Sequence, residues 1–195
     1  NQEKSLGEAL DIRQGVPFCN PATIYAGSYV DAADSDIVVI TSGMARKPGQ
    51  SRLDLAQANV DIIKSIADKI VPVAPNATYI IVSNPVDVLT YVFLKHTGLP
   101  QERVIGSGTV LDTARLRSRI SEYYSVSQKN VHAYVLGEHG DSSFVPWSLA
   151  NISNVPIEDY KNAVLTGVNY PEFKKEEVEN YMRKSGADVI QRKGA

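Results

Sequence analysis

His139 lies in the run Leu136-Gly137-Glu138-His139-Gly140-Asp141, with a glycine on each side and acids as neighbours. Imidazole titrates near neutrality, so a histidine that a ligand can reach is the default proton donor or acceptor of an enzyme. The glycines let backbone or ligand come close to it. A histidine on an exposed surface loop gives the same short pattern, and the dipeptide alone does not separate the two. Asp112 and Arg115 stand three residues apart in a helical pattern and share a face. They are either an ordinary helical ion pair, worth a few tenths of a kcal/mol, or a pair with a function. In the second case a carboxylate near a helix N-terminus holds a histidine and raises its pKa. An arginine on the same face then takes a substrate carboxylate with the fork of its guanidinium.

The segment Arg46-Lys47-Pro48-Gly49-Gln50-Ser51-Arg52 sets three cations between a strand-like run and a helix-like one. It is either a solvated basic turn or a lid that brings an arginine over an anionic or carbonyl group. Ser42-Gly43 and Ser83-Asn84 each follow an apolar run and could face a nucleotide. Gly106-Ser107-Gly108 lacks a third glycine, so neither a complete GxGxxG fingerprint nor a P-loop is present. His132 alternates with Val131, Ala133 and Val135 and reads as structural, while Trp147 and Cys19 read as packing residues. With no second His or Cys at ligand spacing, no metal site is expected.

The elements that must position these residues alternate in kind. Residues 4 to 11 have helical spacing, and a short strand is expected at Thr23 to Tyr25. The continuous apolar run 36 to 41 (DIVVIT) is the pattern of a strand buried on both faces, as in a parallel sheet. A helix follows over about Leu53 to Val73, then a strand at 78 to 83, a helix at Val86 to His96 and a strand at Val104-Ile105. Next come a helix at Val110 to Tyr124 and a strand at 130 to 136 (NVHAYVL). A strand near Phe144 to Trp147 and a charged helix over about Pro171 to Arg192 close the chain. Strand, helix, strand, helix, strand is the signature of a right-handed parallel α/β sheet. Open sheets of this kind bind ligands outside the carboxyl ends of their strands, where the polar residues of interest fall.

Composition narrows the partners. The 195 residues carry 20 Lys and Arg against 22 Asp and Glu, a net charge of −2. That balance excludes a nucleic-acid binder relying on a bulk basic field. No apolar run approaches the roughly 18 residues that span a membrane. The single cysteine, and a start that does not read as a signal or transit peptide, give the expectation of a cytoplasmic protein.

Four segments taken together resemble NAD-dependent L-lactate dehydrogenases of the lactate/malate dehydrogenase superfamily. They are KPGQSRLDL (47 to 55), SNPVD (83 to 87), GSGTVLDTARLRSR (106 to 119) and NVHAYVLGEHGDSS (130 to 143). The resemblance runs over the whole chain. It implies an α/β fold: a Rossmann-type NAD-binding domain over 1–105 and a mixed α/β substrate domain over 106–195. It implies hydride transfer between NAD and a small 2-oxo or 2-hydroxy acid, in the pyruvate fermentation that follows glycolysis. By position it makes His139 the acid/base, Asp112 its carboxylate partner, Arg115 the carboxylate-binding arginine and Arg52 the lid arginine on the substrate carbonyl. Asn84 becomes a substrate-binding residue beside the nicotinamide ribose, followed by a cis bond to Pro85. Tyr29, Gly43, Met44, Ser65, Val82, Ser83, Asn84 and Ser107 fall where the family lines its coenzyme. Arg117 and His132 match the pair that binds fructose 1,6-bisphosphate between subunits of an allosteric homotetramer.

Two features depart from that pattern. Arg46 stands where lactate dehydrogenases usually carry Gln and malate dehydrogenases carry Arg. An arginine there pairs with the second carboxylate of oxaloacetate, whereas pyruvate would leave it facing a methyl group. Arg46 therefore argues for a dicarboxylate, and the remainder of the motifs for lactate. The chain also reads as an internal piece of the family pattern, without the opening strand and glycine-rich turn and without the closing strands. On that reading it is expected to be poorly stable and inactive alone, which a cooperative unfolding transition together with turnover would refute. A non-catalytic assembly module is the reading from another class. The presence of His139, Asp112, Arg115 and Arg52 together argues against it.

Overall fold

The computed structural model describes residues 2–44, 52–164 and 172–193, the side chains of 52–54 excepted. The chain forms two compact units, one of Asn1–Ile80 with Val92–Ile105, the other of Ile81–Tyr91 with Gly106–Ala195.

The first unit is built on strands β1 (Ile37–Ile40), β2 (Thr78–Ile81) and β3 (Val104–Gly106), in the order β1-β2-β3. Helix α1 (Gln2–Gly15) precedes them. The crossovers are α2 (Arg52–Ile70) and α3 (Val86–Thr97), so the sheet is parallel. Ile63, Ala67 and Ile70 repeat at helical spacing on α2 and are buried, as are Tyr79 on the central strand and Phe93 on α3. The rings of Tyr79 and Phe93 lie 5.1 Å apart. The Tyr79 hydroxyl donates to the carbonyl of Ala74 at 2.8 Å, which satisfies a polar tip inside the core. Two expectations fail here. Residues Thr23 to Tyr25 form no strand. β1 is not covered on both faces: Ile40 is buried, but Ile37 and Val39 are 59% and 55% exposed. An apolar run states that a strand is hydrophobic on both sides, whereas Ile37 and Val39, two positions apart, share the face that is left open. Cys19, expected to pack, is exposed.

The second unit packs α4 (Val110–Tyr124), α5 (Ile157–Val164) and α6 (Lys175–Lys193) around short strands β4 (Val131–His132), β5 (Asn151–Ile152) and β6 (Val155–Pro156). These three pair antiparallel, with Val131 opposite Ile152 and Ile152 opposite Val155. The core joins Leu116 and Ile120 of α4 to Val131, Val135, Ile152 and Met182. Phe173 stacks on Tyr124 and meets Trp147 edge-on.

The expected strand 130–136 is only half a strand. Val131, Ala133 and Val135 are buried and His132, Tyr134 and Leu136 exposed, so the two-residue period holds. The ladder stops after His132 because α4 takes the backbone groups of Val135. The Thr113 hydroxyl accepts the Val135 N–H at 2.9 Å, and the Thr109 hydroxyl donates to the Val135 carbonyl at 2.6 Å. Leu136 and Phe144 then exchange both backbone bonds in an isolated antiparallel bridge, where a strand had been expected at 144–147. Trp147–Leu149 is a 3-10 turn instead. The outcome is a loop, 137–143, closed at its base, whose start is clamped beside α4. Among the described residues, no helix is long and apolar enough to cross a membrane.

Candidate active site

Thr109, the residue that precedes α4, and Thr113 in its first turn hold Val135, and Asp112 lies between them in sequence. The clamp therefore sets the start of the 137–143 loop beside the Asp112 carboxylate. Gly137 turns the chain with φ +93°, a conformation that side chains rarely adopt. His139 then comes back onto the helix. Its Nδ1 lies 2.6 Å from Asp112 Oδ2. An ionised carboxylate can only accept, so Nδ1 carries the hydrogen and neutral His139 presents Nε2 as an acceptor. Asp112 is buried, and its other oxygen accepts from Arg115 Nη1 at 3.1 Å. Both readings of the 112/115 spacing are thus realised at once: an i, i+3 ion pair, and a carboxylate holding a histidine.

His139, Asp112 and Arg115 line one cavity of about 620 Å³ with Asn84, Arg183 and Gly186. Leu111, Val189 and Ile190 add apolar wall. Asn84 follows β2, makes a cis bond to Pro85, and its Oδ1 accepts the Val86 N–H at 3.3 Å at the start of α3. Gly186 lies inside α6, where glycine costs about 1 kcal/mol relative to alanine. A Cβ there would meet the Arg115 Nη2 at 3.2 Å, so the glycine lets the guanidinium lie against the helix. Arg183 donates to the Ser143 carbonyl at 3.0 Å and to Glu179 at 3.1 Å, fixing the far end of the loop. The cavity thus combines an imidazole with a buried carboxylate behind it, two guanidinium groups and an apolar wall. A small organic acid with a reacting carbonyl or hydroxyl fits that chemistry.

The residues expected to line a nucleotide divide between the units. In the first, the Met44 N–H donates to Asn59 Oδ1 at 2.8 Å, which pins Gly43-Met44 just beyond β1. Tyr29 is exposed with Lys69 Nζ 5.9 Å from its ring centre, and Ser65 is exposed on α2. In the second, Val82 is partly exposed, Ser83 is buried, and the Ser107 N–H donates to the Ile81 carbonyl at 2.8 Å. Arg117 donates to the Gln128 carbonyl at 3.1 Å and lines a smaller cavity of about 280 Å³ with Lys129. His132 is exposed on β4. Arg46 lies outside the described residues. Arg52 opens α2, but its side chain is also outside them. Among the described residues, no group of three His, Cys, Asp or Glu is placed to hold a metal ion.

Residues 1–106 match the family model for the lactate/malate dehydrogenase NAD binding domain, and residues 109–195 that for the lactate/malate dehydrogenase alpha/beta C-terminal domain. The chain belongs to the lactate/malate dehydrogenase family. Among its relatives in that family, the L-lactate dehydrogenase of Thermoanaerobacter pseudethanolicus is 47% identical over 195 residues, all of this chain and 62% of the relative. A crystal structure of a lactate dehydrogenase from a Medee basin deep-sea metagenome library superposes with a TM-score of 0.90 at 43% identity, over 100% of this chain and 61% of that one. The malate dehydrogenase of Picrophilus torridus gives 0.87 at 33% identity, over 98% and 58%. The chain spans about three-fifths of the length of the relatives it matches.

Several residues that shape these sites carry no role in the sequence analysis, among them Asn59, Thr109, Thr113, Arg183 and Gly186. Asn59 had a usable signal, a polar residue on the apolar stripe of α2, and it is buried. Gly186 had one too, a glycine inside a helix. Asp87, which accepts the His139 N–H at 2.8 Å, and Arg183, which donates to the Ser143 carbonyl, meet main-chain atoms of distant residues, which no local pattern announces.

Proposed function

We propose that this chain carries the reaction site of an NAD-dependent L-lactate dehydrogenase, interconverting pyruvate and L-lactate in the cytoplasm. The observation that carries the reading is the Asp112–His139 pair facing one cavity with Arg115. The names of the relatives, nearly half identical over the whole chain, support lactate. We take residues 1–105 as the coenzyme part and 106–195 as the substrate part.

The groups expected to meet NAD fit it in kind. Tyr29 offers an exposed ring for a base and Ser65 an exposed position on α2 for ribose or phosphate, while the Met44 main chain is bonded to Asn59 and shapes the turn beyond β1. NAD, when bound, supplies or accepts the hydride. The chain's own residues do the rest. Arg115 pairs with the pyruvate carboxylate through its fork and fixes the molecule's orientation. Asn84 donates to the substrate from the end of β2. Arg52 polarises the carbonyl as charge develops on its oxygen. As the carbonyl carbon takes up hydride, protonated His139 gives its Nε2 proton to the oxygen, which becomes the hydroxyl of lactate. Asp112 stabilises the imidazolium before that step and holds the ring in one tautomer throughout.

A malate dehydrogenase is the second reading. Arg46 favours it, because its charge suits a second substrate carboxylate. Regulation by fructose 1,6-bisphosphate in a homotetramer belongs to the same proposal. Arg117 and Lys129 around one small cavity suit a phosphate, with His132 on the neighbouring strand β4. The test is pyruvate-dependent loss of NADH absorbance by the full-length protein, with and without the bisphosphate. We expect turnover to L-lactate and a lower half-saturation for pyruvate when the bisphosphate is present. No turnover with any 2-oxo acid would remove the dehydrogenase reading. An unchanged half-saturation and assembly state would remove the regulatory part alone.

A further inference from the structure

Helix α3 starts at Val86-Asp87, directly after the Asn84-Pro85 bond. Asp87 Oδ2 accepts the main-chain N–H of His139 at 2.8 Å, across 52 positions of sequence. An acid in the first turn of a helix has an ordinary use against the helix dipole. That use needs no partner in the 137–143 loop. Here the partner is the main chain of the residue whose ring Asp112 holds at 2.6 Å. His139 is gripped by two carboxylates from two helices, α4 on the imidazole and α3 on the backbone. One fixed point leaves a ring free to pivot, and two fix its place. Asp87 is also only three positions from Asn84, and Asn84 and His139 line the same cavity.

We propose that Asp87 is a positioning residue, which fixes the His139 imidazole relative to Asn84 by holding the His139 main chain to the start of α3. The catalytic consequence rests on His139 being the acid/base of the proposed reaction. The Leu136–Phe144 bridge and the Arg183–Ser143 bond hold the loop at its ends, and the Ser143 N–H donates to the Gly140 carbonyl within it. Asp87 acts at His139 itself.

Three substitutions in the full-length protein separate this role from a helix-dipole role. Asp87→Ala removes the acceptor and is expected to lower kcat by about tenfold or more, with KM for pyruvate and NADH within about threefold. Asp87→Asn keeps an acceptor oxygen at the same reach but loses the charge; kcat should recover most of the loss. Asp87→Glu keeps the charge but carries the acceptor one methylene further; kcat should stay low. A dipole role predicts the reverse order for Asn and Glu in thermal stability and no change in kcat. That result would overturn the proposal even if the alanine variant failed to fold. Amide exchange and ring-nitrogen chemical shifts of His139 give a readout independent of turnover. We expect Asp87→Glu to speed exchange of the His139 amide and weaken the Asp112 signature on Nδ1. Unchanged ring shifts would overturn the positioning role, whereas absent turnover in the wild type would count against the reaction.

Discussion

Replacing His139 with Asn is expected to lower kcat for pyruvate reduction by about 10²–10⁴-fold, while NADH binding stays as in the wild type. Asn occupies similar space and still hydrogen-bonds, but it cannot deliver a proton near neutrality. The loss should fall on kcat, because a proton moves to the carbonyl oxygen only as the transition state forms. Asp112→Asn is the companion variant. The carboxylate that now accepts from Nδ1 becomes an amide that can donate to it, which favours the wrong tautomer and removes the charge behind the imidazolium. A loss of the same order is expected, and the double variant should be little worse than either single one, since the two residues act as a unit. Stopped steady-state assays on the three proteins check this. Additive losses would mean that Asp112 and His139 do separate jobs. A His139→Asn enzyme with near wild-type kcat would remove His139 from the reaction.

Arg115→Ala is the second substitution with a large expected effect. Two charge-assisted bonds to a substrate carboxylate, at about 1.5–3 kcal/mol each, would be lost. The expected fall in kcat/KM is therefore about 100-fold or more. Part of that fall comes from Asp112, which loses the 3.1 Å bond to Arg115 inside a buried site. Arg115→Lys separates the parts. Lysine restores a cation next to Asp112 but not the fork, so it should recover only part of the loss. A substrate amide in place of the carboxylate should be a poor substrate for the wild type and only slightly worse for the variant. Equal discrimination between acid and amide by wild type and Arg115→Ala would mean that the carboxylate is held elsewhere.

Much of this site was legible because its chemistry lies in short local patterns. Asp112 and Arg115 share a face of a helix whose limits, Val110 to Tyr124, follow from its spacing. His139 is marked by the glycines that turn the chain around it. The parallel sheet followed from apolar runs alternating with helical ones. What was not legible depends on contacts between distant segments. The run 130–136 has the period of a strand, yet Thr109 and Thr113 take the backbone bonds that a ladder would have used. Nothing in SNPVD says that its last residue reaches His139. Nothing in the α6 sequence says that Gly186 faces Arg115. The apolar run DIVVIT reports hydrophobicity and not what stands opposite, and Ile37 and Val39 are exposed.

The proposed reaction is reduction of a small 2-oxo acid at the Asp112–His139–Arg115 cavity, with pyruvate preferred. The most direct test compares kcat/KM for pyruvate and for oxaloacetate with NADH, using the full-length protein. A pyruvate preference of about 100-fold or more, near 3 kcal/mol of differential transition-state binding, is the predicted result and means that Arg46 is turned away from the substrate. An oxaloacetate preference of similar size would contradict it, and would make Arg46 the clamp of a malate dehydrogenase.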